Sequence, residues 1–151
     1  MLESTGTRED VPEYAFYDIF GSEENEHATI TQAPALPATT LAKSCYCHMF
    51  RNCSFLVRAP MFLPAVSLAQ DCYVGMFSGC TSLTQAPALP AITLVDRCYA
   101  DMFFGCTSLV QAPALPATTL VNQCYYRMFY GCTHLEYMNV SFTDWSPANA
   151  T

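Results

Sequence analysis

Thr84-Gln-Ala-Pro-Ala-Leu-Pro-Ala-Ile-Thr-Leu-Val-Asp-Arg-Cys-Tyr-Ala-Asp-Met-Phe-Phe-Gly-Cys-Thr-Ser-Leu109 runs directly into Val110-Gln-Ala-Pro-Ala-Leu-Pro-Ala-Thr-Thr-Leu-Val-Asn-Gln-Cys-Tyr-Tyr-Arg-Met-Phe-Tyr-Gly-Cys-Thr-His-Leu135, and 18 of the 26 aligned positions are identical. The same register extends through most of the chain. The pairs Met49-Phe50, Met76-Phe77, Met102-Phe103 and Met128-Phe129 recur at steps of 27, 26 and 26. Pro34, Pro60, Pro87 and Pro113 recur at steps of 26, 27 and 26. The extra residue lies within Pro60-Met61-Phe62-Leu63-Pro64, where the other units have Pro-Ala-Leu-Pro. Self-similarity at this period is the signature of a solenoid, in which each unit buries its apolar face only by stacking on its neighbours.

Composition agrees once the repeat is subtracted. The chain has 151 residues, 52% of them hydrophobic and 13% charged, with a net charge of −7. Residues 1–26 hold eight acids and one base, whereas residues 27–151 hold five of each. The repeat region is therefore neutral and the chain as a whole acidic. The acidic balance argues against nucleic acid as a partner, because that needs clustered Lys and Arg. It argues equally against an anionic membrane surface. No apolar run is long enough to cross a bilayer, so no segment is expected to insert in a membrane. The acidic segment 1–26 lacks the apolar stretch of a signal peptide.

Within each unit the second half reads as a helix of about ten residues. Leu94, Cys98 and Met102 fall at i, i+4 and i+8. Thr40, Ser67, Thr93 and Thr119 sit where an N-cap belongs. Asn52, Gly79, Gly105 and Gly131 sit where a left-handed C-terminal residue belongs. The first half carries two prolines and is expected to be a short parallel strand, with Leu83, Ala86 and Ala88 inward and Gln85 and Pro87 outward. The expected class is thus α/β, with about four strand-helix coils, each one repeat long. Tyr14–Gly21 reads as a degenerate N-terminal coil, and Ser22–Thr29 as a polar insertion. The organisation is an acidic lead over 1–13 and one solenoid domain over 14–151. Full repeats cover about 32–135. A cap or truncated coil covers 136–151, where Phe142 and Trp145 are placed to cover the last coil.

Rows of cysteine and methionine repeat through the stack. Cys45, Cys72, Cys98 and Cys124 form one cysteine row, and Cys53, Cys80, Cys106 and Cys132 another; Met49, Met76, Met102 and Met128 run beside them. At helical rise the two cysteines of a unit stand roughly 12 Å apart, too far for a bridge. Neighbours within a row would lie near the spacing of paired strands. The rows fit a buried ladder of free thiols or, alternatively, bridges between coils. The ninth cysteine, Cys47, falls off the stripe and is expected to be exposed and reactive. His48 occupies a position filled by Gly75, Asp101 or Arg127 elsewhere and is expected at the surface. No metal site is expected, since Cys45-Tyr-Cys47-His48 lacks a second ligand pair. Catalytic residues are not expected either: there is no nucleophile elbow, zinc-protease helix or phosphate loop, and Asp71, Asp96, Asp101 and Glu136 are scattered on different coils.

The unit resembles the BspA-like leucine-rich repeats of bacterial surface proteins. That pattern, Ala-Phe-x-x-Cys-x-x-Leu-x-x-Ile-x-Ile-Pro, is met here by Met102-Phe103-x-x-Cys106-x-x-Leu109-x-x-Ala112, with Met in place of Ala. The chain departs from it where Ala-Pro-Ala-Leu-Pro replaces Ile-x-Ile-Pro. The Cys-Tyr-x-x-Met-Phe-x-Gly-Cys-Thr-Ser-Leu variant and the tail Phe142-Thr-Asp-Trp145 are similar to the gut Bacteroidetes type. The resemblance spans about residues 14–145. It implies an α/β leucine-rich-repeat solenoid, an extracellular or cell-surface location, and adhesion to a protein or glycan of a host or neighbouring cell. It implies no cofactor and no catalytic residue. The candidate ligand face is the outward row Gln32, Arg58, Gln85 and Gln111, flanked by Pro34, Pro60, Pro87 and Pro113; Tyr126 and Tyr130 form a rival patch. The alternative function is a structural spacer in a larger surface or phage-type protein.

Overall fold

The computed structural model describes residues 10–21 and 29–145. Most of the acidic lead, the polar insertion with His27, and residues 146–151 of the expected cap lie outside them. Coils, each one repeat long, stack in parallel, but they are not strand-helix coils. Among the described residues there is no α-helix, and the strands are β1 (Asp10–Val11) and β2 (Thr40–Leu41), which pair in parallel. Elsewhere the coils meet through single parallel bridges. The expected α/β class is therefore wrong, and the reason lies in how the Cys-Tyr-x-x-Met-Phe segment satisfies its backbone.

That segment is a run of overlapping turns. The N–H groups of Cys45, Cys47, Met49, Arg51 and Cys53 donate to carbonyls at i−3, those of Ala42, Ser44, Tyr46, His48 and Phe50. The alternate N–H groups, of Ser44, Tyr46, His48, Phe50 and Asn52, donate across to Gln70, Cys72, Val74, Met76 and Ser78 of the next coil, at 2.7–3.1 Å. An α-helix would have kept every one of these bonds within the segment, from each N–H to the carbonyl at i−4. Every fourth residue is left-handed: Ser44, His48 and Asn52 in one coil, then Asp71, Gly75 and Gly79, Arg97, Asp101 and Gly105, and Gln123, Arg127 and Gly131, all with φ between 50° and 78°. A positive φ at the third position of a turn is what type II demands. Thr40 and Ser67, placed as helix N-caps by the sequence, instead bridge to one another.

The turns solve a spacing problem. Bridged chains lie about 4.8 Å apart, while packed helices lie about 8–10 Å apart. A helical side would splay every coil from the next. The turn segments come as close as the bridged side does, and their side chains stack. Phe16, Tyr46, Tyr73, Tyr99, Tyr125 and Phe142 form one ring column at 5.4–5.9 Å between centroids. Phe20, Phe50, Phe77, Phe103 and Phe129 form a second at 5.3–5.7 Å. The methionine row and the Cys45, Cys72, Cys98 and Cys124 row are buried in the same core. Phe142 closes the first column, and Trp145 sets its edge on Phe142 at 4.7 Å.

Candidate binding face

Away from the turns, Gln32, Arg58, Gln85, Gln111 and Tyr137 follow one another in parallel bridges, one residue per coil. The backbone along this ladder is held by its neighbours: Ala33 N–H donates to the Arg58 carbonyl at 2.9 Å, and Glu136 N–H to the Val110 carbonyl at 3.0 Å. All five ladder residues are exposed. The prolines expected beside them behave otherwise. Pro34 is exposed, but Pro60, Pro87 and Pro113 are buried, and it is Ala88 that faces out while Leu89 turns in. Proline has no N–H, so its ring enters the core without stranding a donor. Those three prolines are therefore core residues, although Pro60 still lines the clefts beside the ladder.

Two adjoining clefts open on the ladder. One, of about 580 Å³, is lined by Gln32, Arg58, Met61, Thr84 and Gln85 among others. The second, of about 280 Å³, is apolar and shares Gln32, Ala59, Pro60 and Met61 with it, and adds Phe62. Bridge register locates the extra residue of this unit. Arg58 pairs with Gln85, a step of 27, and Phe62 pairs with Ala88, a step of 26. Met61 falls in the single-residue bulge between them, and it is 88% exposed. The sequence showed the length change at this point without marking it as a site.

The turn side carries paired charges instead. Arg97 Nε lies 2.8 Å from Asp71, Arg127 Nε 3.0 Å from Asp101, and Arg51 3.4 Å from Asp18. Positions 97 and 101 are among those that vary between units, and the pairs explain the variation: opposite charges face each other from coil to coil. The Arg127 guanidinium also lies 4.6 Å from the Phe104 ring centroid, near Tyr126 and Tyr130. The rival tyrosine patch is thus divided, with Tyr130 exposed and Tyr126 half-buried against the cluster of Cys47, Val74 and Ala100.

All nine cysteines are free thiols. The Sγ of Cys53, Cys80, Cys106 and Cys132 donates to the carbonyl of Phe20, Phe50, Phe77 and Phe103 in the preceding coil, at 3.1–3.2 Å. Each of the last three carbonyls already accepts a backbone N–H, so the thiol fills its second lone pair. Cys47 is buried, contrary to expectation, and burial pushes its thiol pKa up to about 12. His48 is half-buried rather than solvated. Its ring lies over Gly75 with Tyr17 at its edge, and burial, then the charge of Arg51, lowers its pKa. Among the described residues no three His, Cys, Asp or Glu side chains converge as a metal site.

No known family profile and no curated protein matches the chain. Two solved structures do. A leucine-rich cell surface protein of Faecalibacterium prausnitzii is similar at 22% identity and a TM-score of 0.43, over 77% of this chain and 29% of that one. A leucine-rich repeat protein of T. pallidum is similar at 19% identity and a TM-score of 0.39, over 88% of this chain and 65% of that one. The chain spans less than a third of the first protein and just under two thirds of the second.

Proposed function

We propose that this chain is a non-enzymatic binding module of the BspA-like kind, displayed at a bacterial surface, and that the ladder from Gln32 to Gln111 is its protein- or glycan-binding face. The observation that carries this reading is the ladder itself. Its residues are exposed at every rung, on backbone fixed by bridges to neighbouring coils, and clefts open beside it. Rigid backbone under repeating side chains is how stacked arrays build extended binding surfaces. On the turn side Arg51, Arg97 and Arg127 are paired with carboxylates of neighbouring coils.

The test is to screen the purified chain against an array of extracellular-matrix proteins and glycans. Binding should then be remeasured with Gln85→Glu, with Gln111→Glu, and with coil 84–109 deleted. A binding face loses affinity with each change. A chain that binds nothing on the array, or binds indifferently to all three changes, is a spacer.

A further inference from the structure

We propose that the ladder's binding centre is the Arg58, Met61 and Phe62 corner, and that its occupant is an extended protein segment carrying a carboxylate next to an apolar side chain. This rests on the ladder being a binding face, and it narrows that face to one corner and one partner chemistry.

The charge argument comes first. Of the four arginines described, Arg51, Arg97 and Arg127 each have a carboxylate within 3.4 Å. Arg58 has no ion pair among the described residues, and no Asp or Glu lines either adjoining cleft. An exposed guanidinium set between Gln32 and Gln85 presents a planar fork of donors that matches a carboxylate. Every other unit places Gln at this rung or, at the last, Tyr. The fold therefore does not need arginine there.

The second observation is independent. Met61 is an inserted residue, 88% exposed, and Phe62 beside it is 55% exposed where the aligned residue is Ala88. Val57 adds a further exposed apolar group to the larger cleft. A bulge that lifts a methionine into water gives nothing to the core. Methionine adapts to irregular apolar partners and is used for that purpose at binding surfaces. A sugar would call for a flat aromatic platform to stack on. This corner offers a thioether, one ring, aliphatic carbons and one cation, with the amides of Gln32 and Gln85 and the Thr84 hydroxyl beside them. The apolar groups and the cation suit a peptide side chain and its neighbouring carboxylate, and the amides can pair with peptide backbone.

The experiment pans a random-peptide phage library on the wild-type chain and measures selected peptides by fluorescence polarisation. The variants are Arg58→Gln, which installs the row's own residue, and deletion of Met61, which restores the length of the other units. Hyaluronan oligosaccharides serve as a second probe. The expected result is enrichment of peptides pairing Asp or Glu with a large apolar residue, with affinity falling about ten-fold or more in each variant. Enriched peptides without acids, or peptides indifferent to Arg58→Gln, overturn this inference and leave the binding face standing. Hyaluronan bound through Arg58, with no peptide enriched, overturns the choice of protein. No binding of any probe overturns the inference together with the face on which it rests.

Discussion

The ring of Phe77 lies on the ring of Phe103 at 5.7 Å between centroids and 4° between planes, and both side chains are fully buried. Two aromatic residues one repeat apart thus act as consecutive members of one column. Cutting the column should cost as much as a core truncation in a globular domain. Phe103→Ala is expected to lose about 3–5 kcal/mol. Its half-buried neighbour is the control, and Phe104→Ala is expected to lose distinctly less. Urea unfolding followed by tyrosine fluorescence checks both.

Gly75 and Gly105 are both left-handed, with φ of 54° and 70°, but their surroundings differ. A Cβ at Gly75 would meet the His48 ring at 2.8 Å, whereas at Gly105 the nearest atom is the Gly79 nitrogen at 4.0 Å. Gly105→Ala is expected to cost about 1 kcal/mol, from backbone strain alone. Gly75→Ala adds displacement of the histidine and is expected to cost more. Equal losses in thermal melts would contradict the stacking of His48 on Gly75.

The thiols are expected to be inert in the native protein. Burial pushes the pKa of Cys45, Cys53 and Cys132 up to about 11, and that of Cys47 and Cys98 up to about 12. Iodoacetamide at neutral pH should leave the folded chain unmodified on the timescale that labels all nine cysteines in denaturant. Cys132, half-buried in the last coil, should be the first to react. Peptide mapping that found Cys47 labelled first would restore the exposed position its sequence suggested.

Stability should fall on the acid side partly through His48. Its folded pKa is lowered, by burial first and by Arg51 second, while Asp18 and Asp101 pull the other way. The unfolded chain therefore takes up the proton first. The contribution of neutral His48 is complete above about pH 6.5 and declines as pH falls below that value toward the folded pKa. His48→Gln should flatten that part of the pH–stability curve. A difference between wild type and variant that stays constant from neutral pH down to about pH 5 would refute this.

Much of the architecture was legible before any coordinates. The repeat period, the parallel stacking and the inward cysteine and methionine rows all follow from positions such as Cys98, Met102 and Cys106. The helix was misread because a stripe at i, i+4 and i+8 fits a succession of turns as well as a helix over so short a run. The sequence did contain the distinction: Asp101 and Gly105, like His48 and Asn52, stand at i and i+4, and residues tolerant of a left-handed backbone at that spacing point to turns. The outward glutamines were legible from their polarity at a repeated position, not from alternation, since Leu83 and Gln85, two residues apart, would share a face in a regular strand. The inward prolines were not, because Leu83 and Pro87 are both buried while Gln85 between them is exposed, which breaks the alternation expected of a strand and hides which face Pro87 takes. Met61 was visible as an insertion, yet only the pairing of Phe62 with Ala88 shows that it bulges into solvent.

The central claim is that alternate N–H groups of each turn segment but the last bond to the next coil rather than along the chain. Through-hydrogen-bond scalar coupling in an isotope-labelled sample tests it directly. The Phe77 amide nitrogen should correlate with the Met102 carbonyl carbon, whose oxygen lies 2.9 Å from that nitrogen. A correlation from Phe77 to the carbonyl of Tyr73, at i−4, would mean a helix and would contradict the account.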